Sequence, residues 1–479
     1  MDVIGGLVRF IVEEILSVPA FLVGLIVLLG LLALRKPAGE IIGGTLKAIL
    51  GFVILGVGAT AVVGALQPLG TMILEVFNAQ GVVPTNEAIT AIAAGEFGTT
   101  VAWVMLLGFI VNLVLARLTP MKYIFLTGHH ILFMATMLAV VMSAAGIVDV
   151  PNIIVSGILL GTIMVVMPAL GQPFMRRITN DQPVAIGHFG TAGYILAGLA
   201  GKLVGGRSKS TEEMSFPKTF NFLRDAMVAT AVAMIVIYVI FAVWYSLSAG
   251  PEAAAEISGG GDLVVFGITQ ALTFAAGVAV ILLGVRTILG EIVPAFAGIG
   301  SRIVPDALPA LDCPITFPFA PNAVIIGFLA SFAGGLVSLG ILAATGGLGM
   351  ALALILPGMV PHFFTGGTAG VFGNATGGRL GAVIGGFING VFITFGAAFL
   401  LPVMGELGFA NTTFGDADFQ WFGIVVGNVA RLGVPMLYIG LAVVVVLLLA
   451  LAWWVQSQLP KPTYDADAQA SAEPSATKV

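Results

Sequence analysis

The stretch YIFLTGHHILFMATMLAVVMSAA, residues 123–145, contains no Asp, Glu, Lys or Arg, yet it holds two adjacent histidines, His129 and His130. A continuous apolar run of about twenty residues is what a helix needs to cross the hydrocarbon core of a bilayer. A strand of a membrane β-barrel would be about half as long and would alternate apolar with polar residues. The run therefore reads as a membrane helix. Its histidines say something further. An imidazole in apolar surroundings is costly unless it has a partner, and inside a membrane it points first to a substrate or ion site.

The rest of the chain has the same character. Of its 479 residues, 58% are hydrophobic and 9% charged, against roughly 25% charged in a soluble domain. Its 64 glycines suit close helix packing and interrupted helices. The expected fold is an all-α polytopic membrane protein. Apolar stretches fall at 19–34, 43–67, 100–118, 123–145, 153–175, 226–249, 263–289, 317–343, 348–374, 378–403 and 432–455, which makes about eleven spans by length. Segments 86–94 and 185–206 are too brief or too broken to span. They are expected to be re-entrant hairpins or interrupted helices, tolerated in a membrane where backbone lines a cavity or is buried in protein.

Residues 1–18 carry Arg9, Glu13 and Glu14 at helical spacing and fit an interfacial amphipathic helix rather than a cleavable signal. Residues 19–455 form the expected transmembrane domain, and 456–479 read as a disordered tail. Lys202, Arg207, Lys209, Lys218 and Arg224 place loop 202–224 in the cytoplasm, with the tail on the same side. The acidic loops 250–262 and 404–420, the latter with Glu406, Asp416 and Asp418, are expected to face outward.

One cysteine, Cys313, excludes a disulfide framework and a thiolate metal cluster. No basic run suggests nucleic acid, and no dinucleotide, P-loop or zinc-protease motif occurs. Neither a metal nor a cofactor is expected. A weak internal echo is visible: Val53-Ile54-Leu55-Gly56-Val57 resembles Val280-Ile281-Leu282-Leu283-Gly284-Val285, and Val104–Phe109 resembles Val324–Phe328. Repeats that set broken helices around a midplane site are a transporter device.

Polar groups sit beside glycine or proline in three segments: Leu126-Thr127-Gly128-His129-His130, Ala185-Ile186-Gly187-His188-Phe189-Gly190, and Ala310-Leu311-Asp312-Cys313-Pro314. A fourth is Pro84-Thr85-Asn86-Glu87. Broken helices expose unpaired N–H groups and dipole ends, which with His and Asp can hold a hydroxyl-rich or anionic ligand. A carboxylate at Asp312 is expensive in this setting and is a functional residue by default; its bland alternative is a structural pair with Arg286 or Arg302. Glu87 has two readings, a ligand or ion-coupling group and a helix cap beside Thr85. Glu291 and Arg286, one and a half turns apart, are expected to pack and pair. His362 is expected to pack, and Cys313 to be a small buried hydrophobe.

Leu34-Arg35-Lys36, LTGH at 126–129, IGH at 186–188, LDC through FAPNAV at 311–324, LPGMVPHFF at 356–364 and GVFGN at 370–374 together carry a resemblance. Over nearly its whole length apart from the tail, the chain resembles the membrane-embedded IIC components of the ascorbate phosphotransferase systems, the UlaA/SgaT family. The resemblance implies an eleven-helix protomer with a substrate-carrying core domain and a V-shaped dimerisation domain. It also implies a homodimer in the cell membrane whose core moves as an elevator. The family holds the vitamin with the histidines of TGH and IGH and the aspartate of LDC, which correspond to His129, His188 and Asp312. It is served by soluble IIB and IIA phosphocarriers, so no residue of this chain is expected to do covalent chemistry. His130 lies outside the match and is expected to hydrogen-bond a neighbouring helix.

The chain departs from the family pattern where glutamines follow the two histidines, having Phe133 and Phe189 instead, and where a Thr-Tyr pair is replaced by Asn86-Glu87. Neutral histidines can donate to or accept from hydroxyls, and Asp312 either accepts from ring hydroxyls or is protonated against an anionic ligand. The function expected is uptake of ascorbate or a related sugar acid or polyol, phosphorylated by IIB during import, with loop 202–224 as the IIB dock. The alternative is a proton- or sodium-coupled transporter of the same fold, with Glu87 and Asp312 as coupling groups.

Overall fold

The computed structural model describes residues 19–77, 80–205, 208–214, 226–346, 352–433 and 436–459. Segment 1–18, most of the 456–479 tail, and Arg207, Lys218 and Arg224 of the basic loop lie outside these residues. The first half runs α1 (Pro19–Ala33), α2 (Ala38–Phe77), β1 (Gly81–Pro84), α3 (Asn86–Leu118), β2 (Tyr123–Phe125), α4 (Gly128–Ala144), α5 (Asp149–Thr179), β3 (Ala185–Ile186) and α6 (Thr191–Val204). The second half runs α7 (Ala226–Ala249), α8 (Pro251–Ser258), α9 (Leu263–Ile303), β4 (Leu308–Leu311), a 3-10 turn at Cys313–Phe319 and α10 (Pro321–Gly346). It continues through β5 (Leu354–Ile355), a π turn at His362–Gly366, α11 (Gly367–Leu400), β6 (Thr412–Thr413), α12 (Ala417–Ala430) and α13 (Met436–Ser457). Among the described residues, eight helical segments are long and apolar enough to cross a membrane.

Two corrections follow. Segment 86–94 is neither re-entrant nor interrupted: it is about the first quarter of α3, a continuous 33-residue helix. Its alanine-rich sequence has no proline to stop the helix, and Gly95 is tolerated inside it. Segment 185–206, by contrast, is broken as read, into β3, a turn and α6. The second correction concerns loop 404–420, where Asp416 and Asp418 are fully buried rather than facing water.

Six short strands, each just before a helical segment, join the halves. They form two three-stranded parallel sheets, ordered β5-β1-β6 and β2-β4-β3. Matching β1 to β4, β2 to β5 and β3 to β6 turns one sheet into the other. The registers agree too: Gly81 opposite Leu354 corresponds to Leu308 opposite Tyr123, and Val83 opposite Thr412 to Ala310 opposite Ala185. The internal echo in the sequence is thus a structural repeat, in which each half lends the centre strand to a sheet flanked by the other half's strands.

Glycines set the closest helix contacts. In α11, Gly378 adopts φ 61° and ψ −148°, a conformation open to glycine, and divides the helix between the expected 348–374 and 378–403 spans. The segments on either side press together so closely that a Cβ on Gly373 would strike the Gly381 carbonyl. Where α2 crosses α9, a Cβ on Gly284 would lie 2.6 Å from the Gly51 carbonyl oxygen and 2.7 Å from the Leu55 nitrogen. This small-residue seam lets two backbones touch, which is how helices gain dispersion contact where lipid removes the hydrophobic drive.

Candidate functional site

The strand-to-helix junctions converge on one cavity of about 690 Å³. All six supply lining residues: Asn86 and Glu87 after β1, His129 and His130 after β2, His188 after β3, Asp312 after β4, Val360 and Pro361 after β5, and Asp416 after β6. A strand ends and a helix begins at each, so side chains there are held by rigid elements on both sides. The five residues expected at the site, Asn86, Glu87, His129, His188 and Asp312, all lie on its walls.

Asp312 is the hub. Its Oδ2 lies 3.4 Å from His129 Nε2, its Oδ1 lies 3.8 Å from His188 Nε2, and the Cys313 N–H donates to Oδ1 at 2.7 Å. No pair with Arg286 forms, so the bland alternative is replaced by a histidine–carboxylate cluster; the side chain of Arg302 lies outside the described residues. Asp312 and His129 are 38% and 32% exposed, enough to meet a ligand, whereas the His188 side chain is 3% exposed and forms the rear wall.

His130, expected only to brace a helix, belongs to this wall. Its ring lies 3.8 Å from that of His188, stacks on Phe419 and points Nε2 toward Asp416 Oδ2 at 3.9 Å. The hydrogen bonds fix both tautomers. Nδ1 of His130 accepts from the Phe189 N–H at 3.2 Å, and Nδ1 of His188 accepts from the Gly190 N–H at 3.1 Å, with the Tyr194 hydroxyl 2.8 Å away. An accepting Nδ1 leaves the proton of a neutral ring on Nε2. Both rings therefore present N–H donors to the cavity.

That assignment also bears on metals. His129, His130 and Asp312 lie close enough together to hold an ion, as do His130, His188 and Asp416, and His188, Asp312 and Cys313. Each group includes His130 or His188, whose Nδ1 lone pairs are already taken by backbone N–H groups. The resulting N–H donors beside carboxylate acceptors suit hydroxyl recognition.

Asp416 and Asp418 are the residues that sequence reasoning missed. Asp416 Oδ2 accepts from Asn86 Nδ2 at 2.9 Å, while Asn86 Oδ1 accepts from the Gly415 N–H at 2.7 Å. Asn86 thus ties the first half's junction to the second half's. Asp418 accepts from the Thr191 and Ala192 N–H groups and from Trp421 Nε1, capping α6 from across the repeat. The sequence signal for both was the repeat itself, since they precede or open α12 as Gly190 and Thr191 do α6. The Thr85 side chain makes no cap bond; the Glu87 carboxyl meets its own backbone N–H, while its Oε2 is buried and has no hydrogen-bond partner among the described residues.

The two phenylalanines differ. Phe133 lines the cavity, its ring 5.7 Å from that of His129. Phe189 is fully buried, stacked on Phe125 at 4.7 Å, and does not line the cavity. His362 packs away from the site with Nδ1 2.8 Å from Ser331 Oγ, and Cys313 is buried. Glu291 pairs with Lys47 of α2 at 3.0 Å rather than with Arg286, which turns to the cavity.

Membrane-crossing helices around a largely apolar cavity that carries a cluster of histidines and carboxyls, made by two interlocked repeats, define a multi-pass membrane transport component. The chain matches the model of the EIIC-GAT family, described as the sugar-specific permease component of the phosphotransferase system (PTS), over residues 14–418, and it belongs to that family. A permease component of this family is a multi-pass membrane protein, in keeping with the eight long apolar helices. The chain is also 27% identical, over 436 residues, to the ascorbate-specific PTS system EIIC component of Mycoplasma pneumoniae. That match covers 81% of this chain and 66% of the relative's length.

Proposed function

We propose that the chain is the IIC translocation component of a phosphotransferase system that takes up ascorbate or a closely related sugar acid or polyol. A soluble IIB protein, recharged by IIA, phosphorylates the substrate at the cytoplasmic face. The observation that carries this reading is Asp312 set between His129 and His188 at the junctions of two repeat-related sheets. A carboxylate that accepts and imidazoles that donate match vicinal hydroxyls on a small ring, and charge-assisted bonds of this kind are about twice as strong as neutral ones. Asn86 and Glu87 complete the polar side. Asn86 acts through Asp416, and Glu87 contributes a carboxyl with an open oxygen.

In this reading the junction elements move together as a core domain against a V-shaped dimerisation domain, in an eleven-helix protomer of a homodimer. The test is a titration of ascorbate, sugar acids and polyols against purified protein and Asp312→Asn. Wild type is expected to bind ascorbate and the variant to lose at least about tenfold in affinity. Ascorbate binding that survives Asp312→Asn unchanged removes Asp312 from the site.

The unpartnered Oε2 of Glu87 favours a second reading, a proton- or sodium-coupled transporter of the same fold. Proteoliposomes without IIB discriminate the two. Uptake driven by an ion gradient alone supports the second, and accumulation of phosphorylated product only with IIB supports the first.

A further inference from the structure

The cavity wall opposite the histidines belongs to α9, whose Leu282, Val285, Arg286, Gly290 and Pro294 recur at helical spacing on one face. That face is apolar except for Arg286. Among the described residues it is the only arginine or lysine lining the cavity, against three carboxyl groups, Glu87, Asp312 and Asp416. It makes no ion pair or hydrogen bond with another described residue, because the nearest acid along its helix, Glu291, is engaged by Lys47. The Arg286 side chain is exposed toward the cavity, so its guanidinium is open to a counter-charge brought by a ligand. The other face of α9 is fixed against α2 by the Gly51–Gly284 contact, so the helix cannot easily turn Arg286 away.

The histidine wall offers neutral N–H donors and carboxylate acceptors, which read hydroxyls but repel an anion. We propose that Arg286 supplies the missing half of recognition. It pairs with an ionised oxygen of the ligand and makes the cavity select a monoanionic, hydroxyl-bearing small ring over a neutral one of the same size. The planar fork of a guanidinium suits a delocalised anionic oxygen pair. The inference rests on this cavity being the substrate site.

The experiment measures calorimetric binding, at neutral pH, of ascorbate, which is then a monoanion, and of gulono-1,4-lactone, a neutral hydroxylated ring of similar size. Both are titrated into full-length wild type, Arg286→Met and Arg286→Lys. Wild type is expected to prefer ascorbate. Arg286→Met should lose at least about tenfold of ascorbate affinity with lactone binding within about threefold of wild type, and Arg286→Lys should recover much of the loss. Retained lactone binding also shows that the variant is folded. Equal losses for both ligands, no loss for ascorbate, or a wild type that prefers the lactone would overturn the proposal and leave the transport reading intact. Binding of neither ligand by wild type would overturn the proposal and leave the transport reading to the other sugar acids and polyols of the titration panel.

Discussion

Replacing Tyr194 by Phe removes one hydroxyl that lies 2.8 Å from His188 Nδ1 while the Gly190 N–H still holds the tautomer. One neutral hydrogen bond is worth about 0.5–1.5 kcal/mol, so ligand affinity should fall about two- to tenfold by calorimetry. No change would mean that the orientation of this ring does not matter to binding. The two phenylalanines at family glutamine positions should part company. Phe133→Gln puts an amide at a buried position that also lines the cavity, so it should change affinity as well as lower the melting temperature. Phe189→Gln buries an amide against Phe125 without a partner and should cost about 1–3 kcal/mol of stability, seen as a lower melting temperature. A loss of affinity as large for Phe189→Gln as for Phe133→Gln would contradict this division. His129, His188 and Asp312 were legible in the sequence because each is a polar group beside a helix breaker in apolar surroundings. Asp416 was not, because three acidic residues in one connecting segment look like a solvated loop. Only the long-range pairing of β6 with β1 carries Asp416 under the bilayer-facing helices and onto Asn86.

At the scale of elements, helix ends and glycine seams carry the argument. Asp418 satisfies two orphan N–H groups of α6 and the indole of Trp421. Asp418→Ala should therefore cost about 0.5–2 kcal/mol or more, the range for a lost cap, and lower the melting temperature of the purified protein. Gly284→Ala pushes a methyl into the backbone of α2, whereas Gly56→Ala, on α2 itself, meets nothing within 4 Å. The first should destabilise by about 1–3 kcal/mol and the second should be neutral or slightly stabilising. Equal melting temperatures would show that the α2–α9 contact relaxes without cost. Most of these elements could be read from length and hydropathy. The start of α3 could not, because a run as short as 86–94 says nothing about the helix it opens, and the six strands of two to four residues are too brief to leave a period.

For the whole molecule, the exchanged sheets make the two halves interdependent. β1 has its partners in β5 and β6, and β4 has its partners in β2 and β3, so neither half owns a complete sheet. Asn86–Asp416 and Asp418–Thr191 cross the same boundary, and the cavity takes Asp312 from one half and both of its histidines from the other. The sequence carried this as a faint echo whose apolar matches could arise in any glycine-rich membrane chain; the strand registers supply what composition could not. A half expressed alone keeps helices that can enter a membrane but leaves the edges of its strands unpaired, a costly state for backbone away from water. A chain broken between Met214 and Ala226 should accordingly give two inserted fragments that bind no ascorbate singly. Co-expressed, they should co-purify and recover binding close to that of the intact chain. If either fragment alone bound ascorbate with wild-type affinity, the site would belong to one half and the exchanged sheets would be incidental to it.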